Sequence, residues 1–208
     1  MGVIESIYDN IHNRKGIPMR LWTAQTVDVY ESLIKTGTHH CDESKIRDFE
    51  WWKRAYDWLA EKMTDRIGAP PANVKYPVWL WYKWNSRHRK PDLRSRRAFG
   101  PKGRKMVMLE IEIPDDKVVL SDFDNWHSVL NNYYSCSSAR SESEYDKISE
   151  WLDSLPKDER QIEIEKSWDS IFDITPFKNE FAENGTWVQA TVWELKSEHI
   201  IKVFPFTC

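Results

Sequence analysis

The sequence predicts an α+β domain in which a mixed or antiparallel sheet is flanked by helices. Three observations predict it. Strand-like and helix-like segments follow the order β-α-α-β-β-(β)-α-α-α-β-β, without the regular alternation that a doubly wound parallel sheet requires. The strand segments alternate their side chains with period two, and the helical ones carry apolar stripes at steps of three or four. Hydrophobic residues make up 40% and charged residues 30% of 208 positions, a globular composition long enough for one domain with a sizeable core. Residues 1–18 are read as a lead segment and 19–208 as the single domain.

Each element has a local reason. Ile4, Ile7, Tyr8 and Ile11 recur at helical spacing until Gly16 and Pro18 break the pattern. MRLWTAQ reads as a strand, with Arg20, Trp22 and Ala24 on one face and Leu21, Thr23 and Gln25 on the other. Thr26 caps a helix striped by Val27, Tyr30, Leu33 and Ile34, and Gly37 stops it. A long helix is expected from about Glu43 to Arg66, striped by Ile46, Phe49, Trp52, Tyr56, Leu59 and Met63, and ended by Gly68, Pro70 and Pro71. The strand from Tyr76 to Trp84 should put Trp79, Trp81 and Lys83 on one face and Val78, Leu80, Tyr82 and Trp84 on the other.

KMVMLEIEIP alternates strongly. Val107, Leu109, Ile111 and Ile113 should face the core, and Met108, Glu110 and Glu112 should face away. A short strand at Val118–Leu120 precedes a helix that Ser121 would open as a capping box with Asp124, burying Phe123, Trp126, Val129 and Leu130. Residues 135–143 are polar and read as a loop. Acidic helices follow near Glu144–Ser154 and Asp158–Phe172, separated by Pro156. Asn184-Gly185 is a turn signal, and two strands joined by a short helical turn at Lys196–His199 close the chain.

Composition narrows the function. No run approaches eighteen apolar residues and the N-terminus lacks a signal peptide's continuous apolar region, so a cytoplasmic chain without a membrane span is expected. The cysteines Cys41, Cys136 and Cys208 are odd in number and form no CxxC pair, which disfavours a disulfide framework and a structural zinc site. His39-His40-Cys41 has no second cluster at ligand spacing, so no metal is expected. The net charge of −3 is uneven: residues 85–105 hold nine Lys/Arg against one Asp, and residues 141–170 hold ten Asp/Glu against four Lys/Arg. The basic stretch is either a phosphate-receiving loop or a solvated loop paired with the acidic stretch.

No GxGxxG, P-loop, GxSxG or HExxH motif is present. What stands out is twelve tryptophans. Tryptophan offers a flat stacking face and one N–H donor, and bases and nicotinamide rings stack on such faces. A Trp-rich core is the alternative. The polar neighbours favour a pocket: Thr23 and Gln25 share one strand face, and Gln189 and Thr191 share a face with Trp187 and Trp193. A buried, satisfied hydrogen bond would explain the same pairs.

The strings RLWTAQTVDVYESLIKTG, AYDWLAEKM, YPVWLWYKW, RKPDLR, MLEIEIPDDKVVLSDFDNWHSVLN and WVQATVWELKSEHI resemble a bacterial family known as a domain of unknown function, the one numbered thirty-eight forty-one, over roughly residues 19–206. More distantly, the order of LWT, helix, Gly37, aromatic strand, MLEIEIPDD and a closing HIIKV strand resembles ADP-ribosyltransferase-like domains. That resemblance implies binding of NAD or a related nucleotide and transfer of ADP-ribose. It places the first-strand Arg or His at Thr23, with Arg20 nearby but on the other face, the second-strand hydroxyl residue at Tyr82 or else lost to Trp81, and the catalytic Glu at Gln189. A neutral Gln can orient a ribose hydroxyl but cannot stabilise a cationic ribose carbon, so another acid, Glu110 or Asp122, would serve, or the domain binds without transfer.

The expected site is therefore Gln189 and Thr23 at the reacting centre, with Arg20, Trp22, Gln25, Tyr82, Trp84 and Arg94 around the ligand. The other readings are a nucleic-acid-binding module built on the basic loop and a regulatory protein whose acidic helices dock on a partner.

Overall fold

A computed structural model describes residues 16–46, 48–136, 139, 141–178 and 183–208. The amphipathic pattern at Ile4–Ile11 and part of the 135–143 loop lie outside them. The strands are β1 (Pro18–Thr26), β2 (Thr38–His39), β3 (Val78–Lys83), β4 (Lys105–Pro114), β5 (Val119–Asp122), β6 (Phe177–Lys178), β7 (Glu183–Asn184), β8 (Val188–Val192), β9 (Leu195–Lys196) and β10 (Ile200–Thr207). The helices are α1 (Val27–Thr36), α2 (Phe49–Ile67), α3 (Phe123–Leu130), α4 (Glu142–Ser154) and α5 (Lys157–Ser167).

Six strands form one sheet in the order β10-β4-β1-β3-β8-β5, and every neighbouring pair is antiparallel. The pairs β2–β9 and β6–β7 make separate ribbons. The architecture is the α+β class with an antiparallel sheet and flanking helices. No helix among the described residues is long and apolar enough to cross a membrane.

Both faces of the sheet are covered, by different means. On one face Leu21, Val78, Leu80, Leu109, Ile111, Ala190 and Val192 meet Leu33 of α1. Thr26 accepts a hydrogen bond from the Val29 N–H and Gly37 takes φ +83° at the other end, so α1 is capped at both termini. Ile34 departs from the expected stripe and is 52% exposed. The other face, at the β5–β8 side, packs Val119 and Trp79 against Ala55, Leu59 and Met63 of α2, Trp126 and Val129 of α3, and Trp168 and Ile171.

Three local expectations are corrected. The long helix begins at Phe49 rather than Glu43, because Asp48 takes a left-handed conformation with φ +52°. Glu43–Lys45 is a separate 3₁₀ turn capped by Asp42. Ser121 stays in β5, and the residue that opens α3 is Asp122, whose carboxylate accepts from the Asn125 N–H. Met108 does not face away into solvent: it is 0% exposed on the second face of β4, where Met106 is also buried.

Candidate functional site

The pairing register places a single line of side chains across the second face. Lys202, Glu110, Trp22, Trp81, Gln189 and Ser121 stand directly opposite one another on the six successive strands. Directly paired residues of antiparallel strands project to the same side, about 4.8 Å apart in the pairing direction. The sequence separates these positions widely; only the strand order aligns them.

Aromatic rings surround the middle of this line. Trp81 has its ring 4.8 Å from Trp84, 5.3 Å from Phe123 and 6.5 Å from Trp187. Trp84 also meets Trp187 at 4.8 Å and Phe99 at 5.8 Å, and Phe99 reaches Phe206 of β10. Trp81, Trp84, Phe99, Phe123, Trp187 and Phe206 are all half-buried, so the rings form a partly open wall. Trp84 was expected on the opposite face from Trp81. The register of β3 slips between Trp81 and Lys83, and Trp84-Asn85-Ser86-Arg87 closes a two-residue turn with Asn85 and Ser86 both at positive φ. A bulge followed by such a turn moves Trp84 to the Trp81 side.

Three polar atoms on the line are buried without a hydrogen-bond partner among the described residues: Trp22 Nε1, Gln189 Oε1 and Ser121 Oγ. Trp22 is 4% and Ser121 1% exposed. Buried polar atoms in folded proteins nearly always have partners, so a cluster of unmatched ones beside an aromatic wall is a recognition feature. Trp79 Nε1, on the same sheet face but packed against the α2 and α3 core, is likewise buried and unmatched among the described residues, whereas Trp168 and Trp193 differ. Trp168 Nε1 donates to Tyr133 O and Trp193 Nε1 donates to Gly68 O, each at 2.9 Å, and both rings belong to the core.

Thr23 and Gln25 are not brought to this line. Thr23 projects to the α1 face beside Leu109, where its hydroxyl donates to Trp79 O at 2.9 Å and accepts from Gln25 Nε2 at 2.9 Å. That pair is a satisfied internal hydrogen bond. Tyr82 packs against the α1-side core and sets its ring 4.5 Å from His88. His88 in turn lies edge-on to Trp22 at 5.2 Å and donates through Nε2 to Arg20 O.

Arg20 sits at the rim of the aromatic face. Its guanidinium bonds Glu112 at 2.9 Å and lies 3.5 Å from Glu110, and the Glu112 hydrogen bond raises its already high pKa. Arg94 is spoken for: it bonds Asp92, and this pair holds the Asp92 carboxyl down at about 2. The rest of the basic loop lies beside the wall. Arg87, Arg89, Arg96, Arg97, Lys102 and Arg104 are exposed, while Phe99 anchors the loop and Gly103 N donates to Cys208 O. The acidic helices pair elsewhere, Glu165 with Arg54 and Asp169 with Lys62.

Of the acids offered as substitutes for a catalytic Glu, Asp122 is a structural group. Its two carboxylate oxygens accept from the Asn125 and Gly185 N–H groups at 2.9 and 2.7 Å. Burial raises its pKa, against the pull of those backbone donors. Glu110 is the carboxylate of the line, three strands from Gln189, or roughly 14 Å at ordinary strand spacing. No group of three or more His, Cys, Asp or Glu among the described residues is arranged to hold a metal.

One surface cavity, about 530 Å³, lies between α3 and α4 and is lined by Asp124, Tyr134, Cys136, Tyr145, Leu152 and Glu183 among others. The second, about 340 Å³, adjoins the Asn85-Ser86 turn. No tryptophan lines either one. The aromatic line is thus a face with a wall beside it, and no residue pattern marks Ser121, Phe123, Phe99 or His88 as its neighbours.

An antiparallel six-stranded sheet with an aromatic and amide line across one face defines the chain as an α+β domain with a candidate stacking surface. A family model described as Domain of unknown function (DUF3841) matches residues 20–201, and the chain belongs to that family. No curated protein and no solved structure matches the chain.

Proposed function

We propose that the domain binds a nucleotide on the aromatic face, with the base or nicotinamide ring against Trp81 and the phosphates toward the arginines of residues 87–104. The observation that carries this reading is the juxtaposition of unpartnered Trp22 Nε1, Gln189 Oε1 and Ser121 Oγ with half-buried rings and an exposed basic loop. Aromatic faces stack bases and exposed arginines take phosphate, so the two halves suit one ligand. NAD is the dinucleotide that the order of elements brings forward, through its likeness to ADP-ribosyltransferase-like domains. Transfer of ADP-ribose would require a carboxylate to stabilise the cationic ribose carbon. By that likeness Gln189 would stand where that acid stands, and Glu110 is the acid of the same face. Binding is therefore the primary proposal and transfer the secondary one.

Calorimetric titration with NAD, alongside release of free nicotinamide, tests both. Binding that weakens in Trp81→Ala and falls with added salt supports the reading. Nicotinamide release that depends on Glu110 extends it to transfer. Absence of any heat with NAD, AMP or ATP refutes it. Affinity for single-stranded oligonucleotides but not for mononucleotides would favour the nucleic-acid module instead.

A further inference from the structure

We infer that Gln189, with Ser121 beside it, reads the amino-bearing edge of an adenine ring, an inference that rests on the nucleotide reading above and narrows its substrate class. Gln189 stands between Trp81 on one side and Ser121 on the other, each directly paired with it. A planar ring lying on Trp81 therefore brings its edge to Gln189, one strand spacing away. The carboxamide oxygen of Gln189 and the hydroxyl of Ser121 are both buried and unmatched, and Ser121 is 1% exposed. Neither atom makes a hydrogen bond to any described residue.

The chemistry of the pair selects the edge. A carboxamide presents an acceptor beside a donor, so its complement is a donor beside an acceptor. Adenine offers that complement, an exocyclic amino group next to a ring nitrogen, and Gln pairs with it in two parallel hydrogen bonds. A serine hydroxyl donates or accepts, and so takes whichever position the amide leaves open. Phe123, 5.3 Å from Trp81 and adjacent in sequence to the Ser121-Asp122 pair, closes that side of the ring.

Calorimetry with AMP and with purine riboside monophosphate, which lacks only the amino group, tests the inference on the full chain. Wild type should bind AMP about tenfold or more tightly than the analogue. Gln189→Ala should bind the two alike. Gln189→Glu, whose carboxylate only accepts, should lose AMP and gain affinity for GMP, whose edge presents two adjacent donors. Equal affinity of wild type for AMP and the analogue overturns the inference and leaves the nucleotide reading standing, as does a preference that survives in Gln189→Ala. No binding of either ligand overturns both.

Discussion

Replacing Asp122 by alanine removes the acceptor from two backbone donors at once, one half-buried and one buried. The Asn125 N–H loses its helix cap, a loss of about 1 kcal/mol in comparable helices. The Gly185 N–H, which bonds the other carboxylate oxygen at 2.7 Å in a buried setting, is left without a partner, at about 1–3 kcal/mol. Together the change should destabilise the domain by about 3 kcal/mol, a fall in melting temperature of roughly 6–12 °C for a chain of this size. Asp122→Asn should lose a similar amount, because its amide N–H₂ must face one of the two N–H groups. Thermal melts followed by circular dichroism measure both. The pH dependence has a definite sign. Burial raises the Asp122 pKa in the folded state, so its contribution is fully present below the ordinary carboxylate range near 4 and is lost as pH rises through the raised folded value. The gap between wild type and Asp122→Ala should narrow across that window. A fall of less than about 2 °C for both variants would refute the role given to Asp122 as the tie between β5, α3 and the Gly185 turn.

Other consequences follow from particular contacts. Gly185→Ala should destabilise by at least about 2 kcal/mol in urea melts, because a Cβ there meets Ile174 O at 2.5 Å and φ is +70°. Trp168→Phe and Trp193→Phe should each lose about 1–3 kcal/mol, since each leaves a carbonyl, Tyr133 O or Gly68 O, without its indole donor. Burial pushes the Cys41 thiol up to about 11, so at pH 8 it should alkylate about a hundredfold more slowly than free cysteine, as peptide mapping of the labelled chain would show.

Much of the fold was legible because local rules decided it. The two faces of β1, the Thr26 cap, the Gly37 stop and the Pro156 break between α4 and α5 follow from period, capping and backbone freedom. The candidate site was legible only in part. Trp22, Gln189 and the basic loop announce themselves by residue type, but their alignment depends on a strand order that joins β8 to both β3 and β5, and pairing at such separations leaves no local trace. Strict alternation puts Trp84 on the other face because it ignores the slip at Trp81/Lys83, and Asn-Ser is a weak signal for a turn that needs two positive φ angles. Thr23 and Gln25 looked like site residues because a polar pair on an aromatic strand has two physical explanations, and here the internal hydrogen bond is the one realised.

The central claim is that one group of tryptophans is a ligand surface and another is core. The indole N–H signals in a nitrogen–proton correlation spectrum, assigned by single Trp→Phe variants and titrated with AMP and then NAD, test it most directly. The account predicts that the Trp22 and Trp81 signals move together with saturable dependence, while those of Trp168 and Trp193, whose N–H groups are already bonded inside the core, stay in place. Signals that all stay fixed, or shifts confined to the exposed Trp51 and Trp151, would contradict it.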